Sequence, residues 1–205
     1  MHNDDFQETE IKFLVSDLAV LENRLKSSGA VLQQSRAHEL NLRFDTPQKS
    51  LTSAFQVLRL RQDKKVRLTY KGASDPTSEV SIRPEIEFEV SSLPAARLFL
   101  EALGYQVVIT YEKYRTIYSL GQVEIDLDEM PYGNFIEIEA KDQNIIQETA
   151  RRLGLNWENR IKLSYLAIFN MLKEKFQLTA NNLLFDEFVD QEYSLRDLFQ
   201  EGLFG

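Results

Sequence analysis

The N-terminal part of the chain contains the segment Glu8-Thr9-Glu10-Ile11-Lys12-Phe13, in which charged and uncharged residues alternate. This alternation has the period of a β-strand with two different faces, because successive side chains of a strand point to opposite sides. One face would carry two carboxylates and an ammonium group, and the other would carry the uncharged residues. Two alternatives stay open for these residues alone: a helical ion pair between Glu8 and Lys12, and a charged edge strand.

The composition is that of an ordinary folded protein. The chain has 205 residues, of which 43% are hydrophobic and 11% aromatic, enough for one sizeable domain or for one domain with an appendage. It contains no cysteine, which excludes disulfides and thiolate metal sites and is typical of a reducing compartment. We expect a cytoplasmic protein with no membrane segment, because residues 1–5 are polar and acidic and no apolar run is long enough to span a bilayer.

The charge balance limits the class of partner. The net charge is −8, so a general nucleic-acid binder, which needs an exposed basic face, is not expected. A small anionic ligand is compatible with this charge, because basic residues can be concentrated inside a cavity. Two histidines and the absence of a Walker-type or GxGxxG glycine loop leave little material for histidine metal sites, for a Ser-His-Asp triad or for a glycine-rich nucleotide loop.

The predicted elements are mostly strands. We predict strands at 6–16, 31–44, 55–61, 66–71, 80–90, 105–119, 122–128 and 135–140, and helices after Asp17 and over 94–103, 145–153 and 161–176. This order indicates an α+β protein built on a barrel or a strongly curved sheet of mainly antiparallel strands. The main domain is predicted to span 1–176, and the acidic, Phe-rich segment 177–205 is predicted to be a helical or tail extension.

Every second residue of the later strands is charged, and most strands carry one sign. The basic faces contain Arg59 and Arg61, then Arg67 and Lys71, then Lys113 and Arg115. The acidic faces contain Glu85, Glu87 and Glu89, then Glu124, Asp126 and Asp128, then Glu137 and Glu139. A solvated sheet face would mix the two signs to limit repulsion between neighbours. The set as a whole therefore predicts two facing walls of a functional cavity, although a solvated face remains the alternative for any single strand.

Such a cavity is suited to a polyphosphate together with a divalent cation. Several phosphate charges need many donors when they leave bulk water, and arginine and lysine supply them. Carboxylate oxygens are the ligands that Mg²⁺ and Mn²⁺ prefer. A metal held there would polarise a phosphoryl group and orient a nucleophile. Covalent attack by a protein side chain is not required.

Taken in order, these segments resemble the CYTH family, the triphosphate tunnel metalloenzymes, which groups class IV adenylyl cyclases with thiamine triphosphatases and inorganic triphosphatases. The segment Glu8-x-Glu10-x-Lys12 resembles the ExExK signature of the family, and the charged strands follow it in the family's order. Residues 44–47, Phe-Asp-Thr-Pro, resemble a strand end of the cyclase-like branch, and residues 162–166 resemble the C-terminal helix of the family, which supplies a further lysine. The resemblance covers roughly residues 6–172, and the segment 177–205 has no counterpart in it.

The resemblance implies a closed eight-stranded antiparallel β-barrel, flanked by helices, with the substrate in the tunnel. It implies that the triphosphate is bound by Lys12, Arg59, Arg61, Lys71, Lys113 and Arg115, with Arg67 as a weaker candidate. It implies that Mg²⁺ or Mn²⁺ is held by Glu8, Glu10, Glu137 and Glu139, with Glu85, Glu87 and one or both of Asp126 and Asp128 contributing. Lys12, Lys71 and Lys162 are the implied catalytic lysines, and an exposed helix position is the alternative for Lys162.

Three functions stay open on the sequence. Metal-dependent hydrolysis of a triphosphate is favoured, and the substrate would be inorganic, thiamine or nucleoside triphosphate. A class IV adenylyl cyclase is the close alternative, because both reactions use the same cations and metals and differ in the nucleophile. A non-catalytic polyphosphate-binding module is the third, although a pure anion binder would not keep so many carboxylates. Homodimers are common among such barrels, but no interface follows from these residues.

Overall fold

The computed structural model describes residues 6–200, so the first five residues of the predicted domain and the last five of the predicted extension lie outside it. The strands are β1 (Gln7–Val15), β2 (Val31–Asp45), β3 (Val57–Gln62), β4 (Val66–Lys71), β5 (Ser81–Val90), β6 (Gln106–Leu120), β7 (Val123–Met130), β8 (Gly133–Glu139) and β9 (Arg160–Ile161). The helices are α1 (Leu18–Ser27), α2 (Ser50–Ser53), α3 (Leu93–Ala102), α4 (Gln143–Arg152), α5 (Tyr165–Phe176) and α6 (Leu195–Gln200). None of these helices is long and apolar enough to cross a membrane.

Eight of the strands form a closed antiparallel ring. The order around the sheet is β5-β4-β3-β2-β6-β7-β8-β1, and β1 also pairs with β5, which closes the circle. The short strand β9 adds a two-residue pairing to β1. The eight-stranded antiparallel α+β architecture predicted from the sequence is therefore confirmed. Closure satisfies the backbone groups that an open sheet would leave free at its edges.

The alternation of residue types separates an apolar outer face of the ring from a charged inner face. Along β1 and β8, the register pairs Ile11 with Ile138 and Lys12 with Glu137. Ile11 and Ile138 are fully buried in a core with Leu25 of α1 and Ile146 of α4. Since neighbouring residues of a strand point to opposite sides, packing the isoleucines beneath the helices turns the charged residues inward.

Local capping explains where the helices begin, and it corrects one prediction. The Asp17 carboxylate accepts from the backbone N–H groups of Ala19 and Val20 and starts α1, as predicted. The helix predicted from residue 161 begins instead at Tyr165, because the Ser164 hydroxyl caps it and Ile161 is extended as part of β9. Helix α2 follows Asp45 and was not predicted.

Residues 178–200 pack against the ring. Leu183 forms a parallel bridge with Tyr111 of β6, with backbone hydrogen bonds of 3.0 Å to Thr110 and Glu112. Phe188 and Leu198 are buried beside Phe135 of β8 in the same apolar cluster. The part of β6 before Tyr114 has no register with β7, and the bridge occupies this stretch of the strand.

The single tryptophan of the chain lies beside β1. The Trp157 ring is 6.2 Å from the Phe13 ring, and the Arg160 guanidinium lies over it at 5.2 Å. Phe13 is the direct neighbour of Lys12, which points to the inner face of the ring. Trp157 therefore contacts the outer side of the strand whose inner side is charged.

Candidate functional site

The interior of the ring contains a cavity of about 330 Å³ whose lining is mostly charged. Its eight cationic residues are Lys12, Arg43, Arg59, Arg61, Lys71, Arg83, Lys113 and Arg115. Its eight carboxylates are Glu8, Glu10, Glu85, Glu87, Glu124, Asp126, Glu137 and Glu139. The remaining lining residues are Val57, Tyr111, Ser164, Tyr165 and Leu166. The lining residues therefore carry equal numbers of positive and negative charges.

The strand order groups these charges into two arcs. Strands β7, β8, β1 and β5 are neighbours and carry all eight carboxylates, so we call them the acidic arc. Strands β4, β3, β2 and β6 are neighbours and carry six of the eight cations, so we call them the basic arc. Lys12 and Arg83 are the two cations on the acidic arc. The arrangement agrees with the two facing walls predicted from the segregation of sign.

Three carboxylates of the acidic arc lie close enough together to share one cation. Oxygens of Glu8, Glu10 and Glu139 lie within 4.8 Å of one another, and we call these residues the acidic triplet. The register of β1 against β8 places Glu10 opposite Glu139. Glu8 precedes Glu10 by two residues and therefore lies on the same face of β1. Hard divalent cations prefer such oxygen ligands, so the residues present fit Mg²⁺ or Mn²⁺.

The charges of the acidic arc affect one another's protonation. Burial and the neighbouring Glu8 and Glu10 carboxylates raise the pKa of Glu139 to about 8, although its side chain is exposed at the cavity. Burial and Glu8 also raise the pKa of Glu85 to about 7. For Glu8 itself burial opposes ionisation, but Lys71 and Arg83 outweigh it and hold its pKa well below the ordinary value. The arc therefore carries more carboxylates than its own cations neutralise.

Most cations of the site are held by ion pairs. The Lys12 ammonium lies 3.5 Å from both Glu10 and Glu137. The Lys71 ammonium contacts Glu8 and lies 3.2 Å from Glu85. Such pairs hold the ammonium groups at the cavity in one place before any ligand arrives. A ligand that displaces the carboxylates meets cations that are already oriented.

Asp128 lies behind the cavity lining and accepts hydrogen bonds from three residues that line it. It is fully buried and accepts hydrogen bonds from the Lys113 ammonium at 2.9 Å, from Arg115 Nε at 2.6 Å and from the Tyr165 hydroxyl at 2.7 Å. The Tyr165 ring also lies beneath the ammonium groups of Lys12 and Lys113, 5.4 and 5.3 Å from its centre. Asp128 thus orients two cations and a tyrosine, while Asp126 lines the cavity.

Most of the residues predicted for the site line this cavity, and three do not. Arg67 bonds Asp63 at 3.0 Å and is absent from the lining. Asp128 lies behind the lining, as described above. Lys162 is exposed and donates to the Ser78 carbonyl, because it precedes α5 and does not lie on its inward face. In this structure Lys162 and Arg67 therefore lie outside the cavity lining, and the catalytic role of Lys162 and the substrate contact of Arg67 stay predictions.

Several residues of the site were missed from the sequence. Arg43, Arg83 and Tyr111 line the cavity, and Glu39 and Asn41 are fully buried beside Arg61. Arg83 and Tyr111 continue the alternations predicted for 85–89 and 113–115, whereas Glu39, Asn41 and Arg43 form an alternation of their own on β2 that was not among the predicted charged faces. Tyr165 belongs to no such alternation, since it reaches the cavity from the start of a helix.

The fold and the site define the class of the protein. The CYTH domain family matches residues 7–165, and the chain belongs to this family.

Relatives with the same fold span most of the chain. A Methanocaldococcus jannaschii protein named “Putative adenylate cyclase” is 27% identical over 173 residues, which cover 78% of this chain and 97% of that protein. The solved structure of a Pyrococcus horikoshii protein is 28% identical, with a TM-score of 0.68, and covers 78% of this chain and 98% of the other. A Hippeastrum structure named “Putative adenylyl cyclase”, reported to reveal a dominant triphosphatase activity, is 19% identical, with a TM-score of 0.56, and covers 80% of this chain and 95% of the other.

Proposed function

We propose that the chain is a divalent-metal-dependent enzyme that hydrolyses a phosphoanhydride bond of a triphosphate. One observation carries the proposal: a closed ring encloses eight cations and eight carboxylates, with the acidic triplet on one arc and most cations on the other. A triphosphate is an anion with many oxygens, and guanidinium and ammonium groups are its strongest donors. The small-molecule substrate class follows from this chemistry and from the CYTH membership.

The residues of the basic arc would bind and orient the substrate. Arg59, Arg61 and Lys71 on β3 and β4, and Lys113 and Arg115 on β6, present their charges to one cavity. Lys12 faces them from β1. These groups would hold the phosphoryl groups in one orientation and offset the charge that the reaction moves between oxygens.

The acidic triplet would hold the metal. Glu8, Glu10 and Glu139 provide the required oxygens, and burial together with the Glu8 and Glu10 carboxylates raises the pKa of Glu139. A divalent cation bound there would supply Lewis-acid polarisation of phosphate oxygens. Glu85, Glu87, Asp126 and Glu137 line the same cavity and would accept hydrogen bonds from water or from the ammonium groups. Either Mg²⁺ or Mn²⁺ is compatible with this oxygen set.

The composition of the lining favours hydrolysis of a small triphosphate. Val57 and Leu166 are the aliphatic lining residues, and Tyr111 and Tyr165 are the aromatic ones, against sixteen charged residues. A cyclase also needs a surface for a purine and a ribose, and ligand pockets usually provide apolar and aromatic area for such groups. Inorganic triphosphate is therefore preferred over triphosphates that carry an organic ring system, such as thiamine or nucleoside triphosphate.

A class IV adenylyl cyclase is the second candidate. The observation that favours it is the name of the Methanocaldococcus jannaschii relative, which aligns with this chain over 97% of its length. The Hippeastrum structure has the same fold and is reported with a dominant triphosphatase activity, so the fold alone is compatible with both reactions.

One incubation series distinguishes these activities. The full chain is mixed with Mg²⁺ or Mn²⁺ and, separately, with tripolyphosphate, thiamine triphosphate or ATP, and products are separated by ion exchange. Orthophosphate release supports hydrolysis. Cyclic AMP with pyrophosphate would establish the cyclase instead, and tight binding of unchanged substrate would leave a binding module. We further propose a cytoplasmic location from the cysteine-free composition, and a homodimer from the family resemblance alone.

A further inference from the structure

The basic arc contains one cation whose charge is not matched. Arg43 on β2 lines the cavity, and its guanidinium donates to the Gln56 carbonyl at 3.2 Å. Each of the other seven cavity cations lies within 4.0 Å of a carboxylate, whereas Arg43 has no such ion pair among residues 6–200. Burial and the nearby guanidinium groups of Arg59 and Arg83 lower the pKa of Arg43. Tyr111 and the Asp45 carboxylate act in the opposite direction but do not outweigh these effects, and no carboxylate of the described residues lies within ion-pair distance of Arg43.

Buried donors without acceptors lie next to Arg43. The register of β2 against β3 places Arg43 opposite Arg59 and Asn41 opposite Arg61. Both Arg59 Nε and Asn41 Nδ2 are buried and have no hydrogen-bond partner in the described structure. Asn41 Oδ1 accepts from Arg61 Nε at 3.3 Å, so Asn41 is a positioning residue for that guanidinium. Unpaired buried donors are costly, so a water molecule or a ligand oxygen is expected to supply the acceptor that the chain does not provide.

This wall lies across the ring from the acidic triplet. Going around the ring, β2 is four strands away from β1, and β3 is four strands away from β8. In a ring of eight strands these are opposite positions. Glu8, Glu10 and Glu139 lie on β1 and β8, while Arg43, Arg59 and Arg61 lie on β2 and β3. We call the latter three residues the donor wall.

We propose that Arg43 completes an anion subsite on the donor wall, which binds the terminal phosphoryl group of the triphosphate opposite the acidic triplet. This inference rests on the proposed function and adds the direction in which the substrate lies. A terminal phosphoryl group carries more charge and more free oxygens than an internal one, and it matches an unpaired guanidinium beside further donors. Arg43 is then a specificity residue for linear polyphosphates with a free end.

The test compares a linear with a cyclic polyphosphate. Tripolyphosphate has terminal phosphoryl groups, whereas trimetaphosphate has only internal ones. The full-length chain is titrated with each compound by calorimetry in EDTA, so that no metal contributes. We expect Arg43→Gln to weaken tripolyphosphate binding about ten-fold or more, which is the usual effect of one charge-assisted hydrogen bond. Trimetaphosphate binding should change less than about three-fold, since by this inference it does not use the subsite.

The chain offers a matched control on the same strand. Arg36→Gln removes the same charge from the outer face of β2, where the guanidinium stacks on Tyr114 and pairs with Glu129. It should leave the binding of both compounds unchanged. The thermal midpoint of ligand-free Arg43→Gln should change little, because the lost repulsion from Arg59 and Arg83 offsets the lost attraction to Asp45 and the lost hydrogen bond to Gln56. Arg43→Lys keeps the charge without the planar group and should retain part of the affinity.

Three outcomes would overturn the subsite. The first is that Arg43→Gln loses the same amount of affinity for tripolyphosphate and for trimetaphosphate. The second is that Arg43→Gln binds tripolyphosphate as tightly as the unmodified chain does. The third is the absence of tripolyphosphate binding by the unmodified chain in EDTA, because the donor wall contains no metal ligand and must hold its anion unaided. None of these results depends on turnover, so the hydrolysis assay with metal tests the proposed function separately.

Discussion

Glu10 belongs to the acidic triplet and also contacts the two cations of the acidic arc. It contributes an oxygen to the acidic triplet, and it lies 3.5 Å from the Lys12 ammonium and 3.4 Å from Arg83. Replacing its carboxylate with an amide keeps the size of the side chain and removes its charge. The residue therefore separates a loss of chemistry from a loss of structure.

We predict that Glu10→Gln lowers triphosphate turnover at least about 100-fold, as expected for loss of a charged metal ligand. Circular dichroism should show that the variant remains folded, and phosphate release measures the effect. Glu89→Gln is the control, because Glu89 continues the β5 alternation but is exposed and does not line the cavity. Turnover of Glu10→Gln at the unmodified rate would refute the assignment of the metal to the acidic triplet.

At the residue scale, sequence alternation reveals which side chains share a face, but it does not show how far each reaches. Arg59 and Arg67 both follow the alternation of their strands, yet only Arg59 lines the cavity, since Arg67 is held by Asp63. Asp126 and Asp128 lie on one face of β7, and the burial of Asp128 under Tyr165 separates their roles. Asp63 and Tyr165 lie outside the strands of Arg67 and Asp128, so the alternation within one strand does not predict these contacts.

At the element scale, the turn after β2 is organised by one carboxylate. Asp45 accepts hydrogen bonds from the N–H groups of Thr46, Leu51 and Thr52 and from the Thr52 hydroxyl, at 2.6 to 2.9 Å. Burial opposes its ionisation, but the bonds from Thr52, Leu51 and Thr46 outweigh this and lower the pKa of Asp45 below 3.8. This side chain holds α2 against the end of the strand that carries Arg43.

We predict that Asp45→Asn lowers the free energy of unfolding by about 1–3 kcal/mol at pH 7. A lowered pKa means that the folded state favours the charged form, so this contribution is present above pH 3.8 and is lost as the pH falls through the lower, folded value. The difference in the free energy of unfolding between Asp45→Asn and the unmodified chain should therefore become smaller below pH 3.8. Urea unfolding at pH 7, 5 and 3 measures it.

Asp190→Asn provides the comparison for that series, because Asp190 is exposed. It should change the free energy of unfolding by less than about 0.5 kcal/mol. A constant difference between Asp45→Asn and the unmodified chain at all three pH values would contradict the role of the charge.

The structure of the segment that follows α5, residues 177–200, was predicted least well from the sequence. The segment has no regular alternation, and its aromatic content alone indicated packing against an unnamed surface. In the structure Leu183 is fully buried against β6, while Val189 is 78% exposed. The family match ends at residue 165, so this contact lies beyond the shared part of the chain.

We predict that Leu183→Ala destabilises the protein by about 2–5 kcal/mol, the range for removing a buried leucine side chain. Val189→Ala, a smaller truncation at an exposed position in the same segment, should stay within about 0.5 kcal/mol. Denaturant unfolding of both variants measures the contrast. Equal stability of the two variants would mean that the segment does not contribute to the folded core.

At the scale of the whole molecule, the acidic and basic charges are distributed unevenly between interior and exterior. The lining contains eight positive and eight negative residues, which cancel, so the rest of the chain carries the full net charge of −8. A net negative charge outside the lining disfavours nucleic acid. The strand pattern predicted a barrel or a strongly curved sheet, and the family resemblance implied the closed ring of eight strands that the structure shows.

We predict that tripolyphosphate with Mg²⁺ raises the thermal midpoint of the full chain. At a concentration about 100 times Kd, linkage stabilises the folded state by about 2.7 kcal/mol, which is several degrees for a protein of this size. Sulfate at the same ionic strength should raise the thermal midpoint of the unmodified chain much less. Tripolyphosphate with Mg²⁺ should likewise raise the thermal midpoint of Glu10→Gln much less. Equal shifts with sulfate and tripolyphosphate would contradict a built triphosphate site.

The position of Trp157 gives the molecule a native optical probe. As the single indole of the chain, it contacts Phe13, the residue next to Lys12, from the outside of β1. Any displacement of β1 on ligand binding would change the contact between Phe13 and the Trp157 ring. Fluorescence emission could then follow the entry of substrate in real time, in unlabelled protein and without any coupled assay.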